Sequence, residues 1–326
     1  MIKSAVFSLI ALVASTLACP AQSSQNYPTR VITVLVPFAA GGPTDVVARL
    51  TAEEMSKILG QKLIVENAPG AGGTLASSRL AKADPDGYTL LVHHIGMSTA
   101  PSLYRKLPFD PRKAFAPIGL ISDAPMTLIS RADFPPNTLA EVITLAKSQP
   151  GKLSYGNSGL GAASHLCGML FQHAIGVNVN TVGYNGNGPI MSDILGSHLD
   201  LTCDQTTNTT GPIRGKRVKA FVLTAPARLA SLPDVPTFNE AGLKAFEISV
   251  WHGLYAPANT PPAIVEKLAA ALQQALKNEA LIEKFRGIST EPVSQERATP
   301  DALRKQLAAE IDRWGPIIKA AGQFAD

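Results

Sequence analysis

A two-lobed α/β architecture, with the lobes joined by two crossing segments, is predicted by three observations. Short β-branched runs pass into glycine-rich turns and then into helices, the order expected of parallel sheets. The pattern stops in mid-chain and restarts. Two extended stretches, Ile118 to Ser130 and Phe246 to Ala256, stand at the junctions. The first lobe is expected over about residues 22–125 plus 251–326 and the second over about 126–250.

The opening unit is the clearest. Val31 to Val36 is apolar and mostly β-branched, which suits a strand buried on both faces. Pro37 cannot donate to a ladder and ends it. Gly41 and Gly42 permit a tight turn, and Pro43, Thr44 and Asp45 suit a helix start. Val47, Leu50, Ile58 and Leu59 then follow at near-helical spacing. Unpaired N–H groups at such a turn, with the helix dipole behind them, make an anion seat. A carboxylate or a phosphate fits it equally well.

Lys62 to Glu66 reads as the next strand, Asn67 to Thr74 as a second glycine-rich turn, and Leu75 to Ala83 as a helix. Tyr88 to His93 is a third strand, followed by a loop through His94 and Ser98. After the first crossing segment, Thr138 and Glu141 form a capping box for a helix running to Ser148. Leu153 to Tyr155, Val179 to Tyr184, Leu199 to Cys203 and Val218 to Thr224 read as strands. Between them lie a glycine-rich turn at 156–165, a helix from Leu166 to Ile175 and a helix from Ile190 to Leu195. A turn and a short capped helix are expected over 233–243. The last part is helical. Its stripes, Ile264, Leu268, Leu272, Leu276 and then Leu303, Leu307, Ile311, Trp314, Ile318, read as core faces. Both lobes thus turn helix-starting loops toward a shared cleft, where ligands bind in open α/β sheets.

The chain has 326 residues and a formal net charge of only +4. Its densest basic cluster, Arg214 to Lys219, has no aromatic platform beside it and reads as a solvated turn, so no nucleic-acid partner is expected. Lys3 is the only charge before Arg30, and Ala5 to Leu17 is an apolar core of signal-peptide length. Cleavage after Ala21 makes residues 1–21 a leader and the mature protein exported and soluble. The rival reading lipidates Cys19, but Thr16 stands where a lipobox has leucine. Cys167 and Cys203 then remain, in an oxidising compartment. One lies early in a helix and the other at a strand end, so a disulfide between them is expected; the alternative is two buried thiols.

Enzyme signatures are weak. Leu160 occupies the position where a nucleophile elbow around Ser158 needs glycine. The turn at 67–74 matches neither dinucleotide nor phosphate-loop patterns. His93 and His94 are adjacent and on a strand face opposite sides, and no helical histidine pair suggests a metal. Neither a cofactor nor a metal is expected. Asp204, at a strand end, caps a loop or meets a ligand amine or hydroxyl.

Six motifs occur in order: V-P-F-A-A-G-G-P-T-D-V-V-A-R, N-A-P-G-A-G-G-T, D-P-D-G-Y-T-L-L, Y-G-N-S-G-L-G-A-A-S-H-L, D-V-P-T-F-N-E-A-G and W-H-G-L-Y-A-P-A-N-T-P. Together they resemble the Bug-type periplasmic solute-binding proteins of tripartite tricarboxylate transporters, from about Tyr27 onward. The resemblance implies a type II periplasmic binding fold, a Venus flytrap that hands small carboxylates to a pair of membrane components. It implies a receptor rather than an enzyme, and a monomer is expected. An exported ester hydrolase using Ser158 and His165, or a sensor for a two-component system, is the alternative. The implied ligand contacts are Phe38, Ala40, Gly41, Gly42, Thr44 and Asp45 on the first turn, with Gly72, His94 and Ser98 beside it. In the second lobe they are Asn157, Ser158, Ala162, Ser164 and His165, with Tyr184 and Asp204. Ala39-Ala40 and His93-His94 depart from what relatives often carry, so the ligand's identity does not follow. Neither 37–45 nor 156–165 contains lysine or arginine, which suits reversible capture of a carboxylate by neutral dipoles.

Overall fold

The computed structural model describes residues 26–243, 247–322 and 324; the leader over 1–21 and Cys19 lie outside them. The first lobe opens with β1 (Ile32–Val36), α1 (Pro43–Leu59), β2 (Leu63–Asn67), α2 (Thr74–Ala81), β3 (Thr89–His94) and α3 (Gly96–Leu103). The long strand β4 (Phe115–Arg131) leads into α4 (Leu139–Ser148), β5 (Ser154–Asn157), α5 (Ala163–Ile175), β6 (Asn180–Gly183) and α6 (Asn187–Leu195). Then come β7 (Leu201–Gln205), α7 (Thr206–Arg214) and β8 (Val218–Leu223). The chain returns on β9 (Ser249–Pro257) and ends in α8 (Pro262–Ala275), α9 (Glu279–Gly287), β10 (Glu291–Pro292) and α10 (Pro300–Ala321).

Strand order is β2-β1-β3-β9-β4-β7-β5-β6, with β8 and β10 also on β4. β1 pairs in parallel with β2 and β3, and β5 with β6 and β7. β9 is antiparallel to β3 and to β4, and β4 is antiparallel to β7, which makes both sheets mixed. β4 is shared: Phe115 to Pro125 runs along β9, and Met126 to Arg131 along β7 and β8. One continuous strand therefore carries the chain from lobe to lobe, where the sequence shows two apolar runs.

Burial explains the elements. Ile32, Val34, Leu35 and Val36 are sealed on both faces of β1. Leu268 and Leu272 of α8 and Leu303, Leu307, Trp314 and Ile318 of α10 are core, as their spacing predicts; each such side chain contributes about 1.5–3 kcal/mol. Cys167 on α5 and Cys203 on β7 form the expected disulfide, with Cα atoms 6.1 Å apart.

Three expectations need correction. The segment 233–243 is a series of turns, not a helix. Its capping box forms, with Glu240 N–H donating to Thr237 Oγ1 and Thr237 N–H to Glu240 Oε2, but Gly242 at φ +87 stops propagation. The loop after His94 is helical over α3, because Met97, Ala100 and Leu103 are buried and the helix packs on α10 despite Pro101. The T-T-N stretch after Asp204, which in sequence reads as the end of the Leu199–Cys203 strand, starts α7. Its poor propensity is overridden by packing and by threonine hydroxyls that donate back to carbonyls, Thr210 Oγ1 to Thr206 O at 2.8 Å among them.

Candidate functional site

A narrow cavity lies between the lobes. Phe38, Gly42, Pro43, Thr44 and His94 line it from the first lobe, and Ser158, Ala163, Asn187 and Gln205 from the second. The enclosed space is about 10 Å3, close to that of one water. Among the described residues, no lysine or arginine is on its wall. Its polarity comes from the backbone instead. α1, α5, α6 and α7 begin at Pro43, Ala163, Asn187 and Thr206, and none carries a side-chain cap. Each follows the carboxyl end of a strand, β1, β5, β6 or β7. Their unpaired N–H groups and dipoles add to a positive potential at one spot, supplied from both lobes.

The first-lobe wall is aromatic and uncharged. Phe38 stacks on His94 at 4.6 Å between centroids and meets His93 edge-on at 5.9 Å. The two histidines therefore do not diverge to opposite faces as strand alternation predicts. They stand at the end of β3, where the His94 N–H donates to His93 Nδ1 at 2.7 Å and the Gly96 N–H to His94 Nδ1 at 2.9 Å. Both rings consequently carry their proton on Nε2. Behind them, His252 reaches Thr44 Oγ1 at 3.3 Å and Ser122 Oγ at 3.2 Å, linking β9 and β4 to the first turn of α1. Burial pushes His94 down to about 3 and holds His93 and His252 well below the ordinary histidine value, so all are neutral at pH 7.

The second-lobe wall is a buried hydrogen-bond chain. Asp204 is fully buried and accepts from Asn187 Nδ2, from Gln205 N–H at 2.7 Å and from Asn208 Nδ2 at 2.6 Å. Burial pushes its carboxyl up to about 6, against the donors that favour its charged form. With Nδ2 committed to Asp204, Asn187 offers Oδ1 to the Ser164 hydroxyl at 3.4 Å. Ser164 Oγ in turn accepts from Ser158 N–H at 2.9 Å and lies 2.8 Å from Ser158 Oγ.

Among the residues singled out in the sequence, Phe38, Gly42, Thr44, His94 and Ser158 line the cavity. Ser164 and Asp204 stand one layer behind, in the hydrogen-bond chain. Asp45 faces away: its carboxylate accepts from Gly41 N–H, Arg49 and Asn67 and braces the turn around Gly41. The Ser98 hydroxyl donates to the carbonyl of Ile95, the residue before α3. Tyr184 OH donates to Asp193 at 2.6 Å. Asn157 and His165 line a wider groove of about 680 Å3 on the flank of α5, with Met169, Gln172 and Asn178. Ala162 is buried as the residue before α5. Pro43, Ala163, Asn187 and Gln205 are the wall residues absent from the implied ligand contacts, although Pro43 and Ala163 lie in the two turns expected to hold the ligand. The strand–glycine–helix pattern of N-G-N-G-P at 185–189 was a usable signal for Asn187. Gln205 carries no such mark.

Ala40 and Gly72 belong to a seam where the lobes meet. Ala39 N–H donates to Asn185 O at 2.8 Å, Thr99 Oγ1 to Gly161 O at 2.9 Å and Tyr104 OH to Leu160 O at 2.9 Å. Glycines allow this approach. A β-carbon on Gly72 would stand 1.9 Å from Leu160 O, and one on Gly188 2.5 Å from Ala40 O.

A family model described as the tripartite tricarboxylate transporter family receptor matches residues 47–323. Three solved structures are similar along nearly the whole chain. The periplasmic binding protein BugD is 46% identical, with a TM-score of 0.90 covering 92% of this chain and 100% of that one. MatC from Rhodopseudomonas palustris, with bound malate, is 39% identical, with a TM-score of 0.87 over 90% and 100% of the two chains. A further R. palustris protein, with adipate, is 32% identical, with a TM-score of 0.86 over 91% and 99%. The fold is accordingly that of a two-lobed periplasmic binding protein.

Proposed function

The chain belongs to the tripartite tricarboxylate transporter receptor family, and from that premise we propose that it is a periplasmic receptor for a small carboxylate. It closes over the ligand between its lobes, residues 22–125 with 251–326 and residues 126–250, and delivers it to the membrane components of a tripartite transporter. The observation that carries this reading is the convergence of the uncapped starts of α1, α5, α6 and α7 on a cavity without lysine or arginine. Backbone dipoles suit an anion, and a ligand held without an ion pair is released readily. The malate and adipate in similar structures support a carboxylate. A ligand of that size exceeds the present cavity, so the lobes part to admit it.

The geometry gives the hydrolase alternative no support. Ser158 Oγ sits on Ser164 Oγ, and His165 lines the groove beside α5. Thermal-shift screening of a carboxylate panel tests the proposal: a binder gains melting temperature and returns the ligand intact. Absence of any shift across the panel, or conversion of a ligand to product, overturns it. Intact-mass measurement of exported protein tests the leader, with a chain starting at Gln22 expected and a diacylglycerol adduct on Cys19 counting against it.

A further inference from the structure

We propose that the second-lobe wall is an acceptor face that selects carboxylates bearing a hydroxyl group, with Gln205 and Ser158 as the specificity-determining residues. This rests on the reading that the cavity holds a carboxylate.

Gln205 is the first support. It precedes α7, is only 2% exposed and lines the cavity. Its Oε1 is buried and has no hydrogen-bond partner among the described residues. A buried amide oxygen left unpaired is unfavourable, and a ligand donor at the cavity would satisfy it.

Ser158 is the second, independent support, because the hydrogen-bond chain fixes where its proton goes. Asp204 accepts only, so Asn187 presents Nδ2 to it and keeps Oδ1 for Ser164. The Ser164 proton is thereby used on Asn187. Ser164 Oγ is left to accept, and it takes both the N–H and the O–H of Ser158. The Ser158 hydroxyl, which lines the cavity, then faces the ligand with lone pairs only.

The opposite wall has the complementary character. Thr44 lies in the uncapped first turn of α1, and His94, whose Nδ1 is taken by Gly96, has Nε2–H to give. Donors on the first lobe thus face acceptors on the second. A plain carboxylate satisfies the first set and leaves the second unpaired. A hydroxy acid satisfies both. A neutral hydroxyl fits this wall better than an ammonium, because the Asp204 carboxylate behind it already accepts from Asn187, Gln205 and Asn208.

The test is isothermal titration of the mature protein with matched pairs: malate and succinate, 2-hydroxyglutarate and glutarate, citrate and tricarballylate, together with aspartate and glutamate. The hydroxy member of the binding pair should bind at least about tenfold more tightly, the effect of one good hydrogen bond. Gln205→Met, which keeps length and removes the acceptor, should bring the ratio within each pair to within about threefold. Equal affinity within pairs, or an unchanged ratio in Gln205→Met, overturns the acceptor face and leaves the carboxylate receptor standing. Preference for aspartate or glutamate over every hydroxy acid places an ammonium there and also overturns it. Failure of every carboxylate to bind removes the receptor reading, and this inference with it.

Discussion

Gly188 stands so close to Ala40 across the lobe seam that a β-carbon on it would lie 2.5 Å from the Ala40 carbonyl oxygen. Gly188 is in the first turn of α6, where alanine is favoured over glycine by about 1 kcal/mol in helix propensity alone. Gly188→Ala should therefore fold normally yet hold the lobes apart. Small-angle scattering should show a larger radius of gyration, and ligand affinity should fall about tenfold or more. A compact variant with wild-type affinity would show that the seam does not govern closure.

Gly42 separates backbone recognition from mere space. A β-carbon there would meet Gly188 N at 3.4 Å and Asn187 N at 3.5 Å, contacts the structure can absorb. Gly42→Ala should weaken carboxylate binding by a few-fold. Gly42→Val adds branches into the cavity at the start of α1 and should abolish measurable binding while leaving the melting temperature of the ligand-free protein within a few degrees. Equal binding by both variants would move the ligand elsewhere.

Stability should fall as the pH drops below about 6.5. His93, His94 and His252 stay neutral in the fold because burial lowers their pKa values, with His94 near 3. The unfolded chain takes up their protons first, so each removes about 1.4 kcal/mol of stability per pH unit below the unfolded value. Asp204, raised by burial to about 6, acts the other way between about pH 6 and 4, since its folded form takes the proton first. The histidines outnumber it. Urea midpoints at pH 7.5 and 5.5 should show the loss, and His252→Gln should reduce it; a flat profile would contradict the buried neutral cluster.

The Cys167–Cys203 bridge ties the helix behind Ser158 to the strand that carries Asp204. For a sequence separation of 36 the chain-entropy model gives roughly 3–4 kcal/mol. Reduction should lower the melting temperature by several degrees and weaken binding. Denatured, unreduced mature protein should contain no reactive thiol, and two per chain would refute the bridge.

Local chemistry made much of this protein legible without coordinates. The β1–α1 unit is written in Val31 to Leu59, where β-branched residues and Pro37 restrict the backbone and Gly41-Gly42 free it for the turn. The stripes of α8 and α10 and the two cysteines were equally readable, because periodicity and thiol pairing are short-range or compartmental facts. What the tertiary structure decided was direction and company. Asp45 and Gly42 share a turn, yet one braces it and the other lines the cavity. His93 and His94 both reach Phe38 because hydrogen bonds from the backbone N–H groups of His94 and Gly96 turn their rings. Gln205 sits on the wall because β7 ends beside β5 and β4. Such placements depend on partners far away in sequence, and no residue type or spacing encodes them until the sheets have assembled.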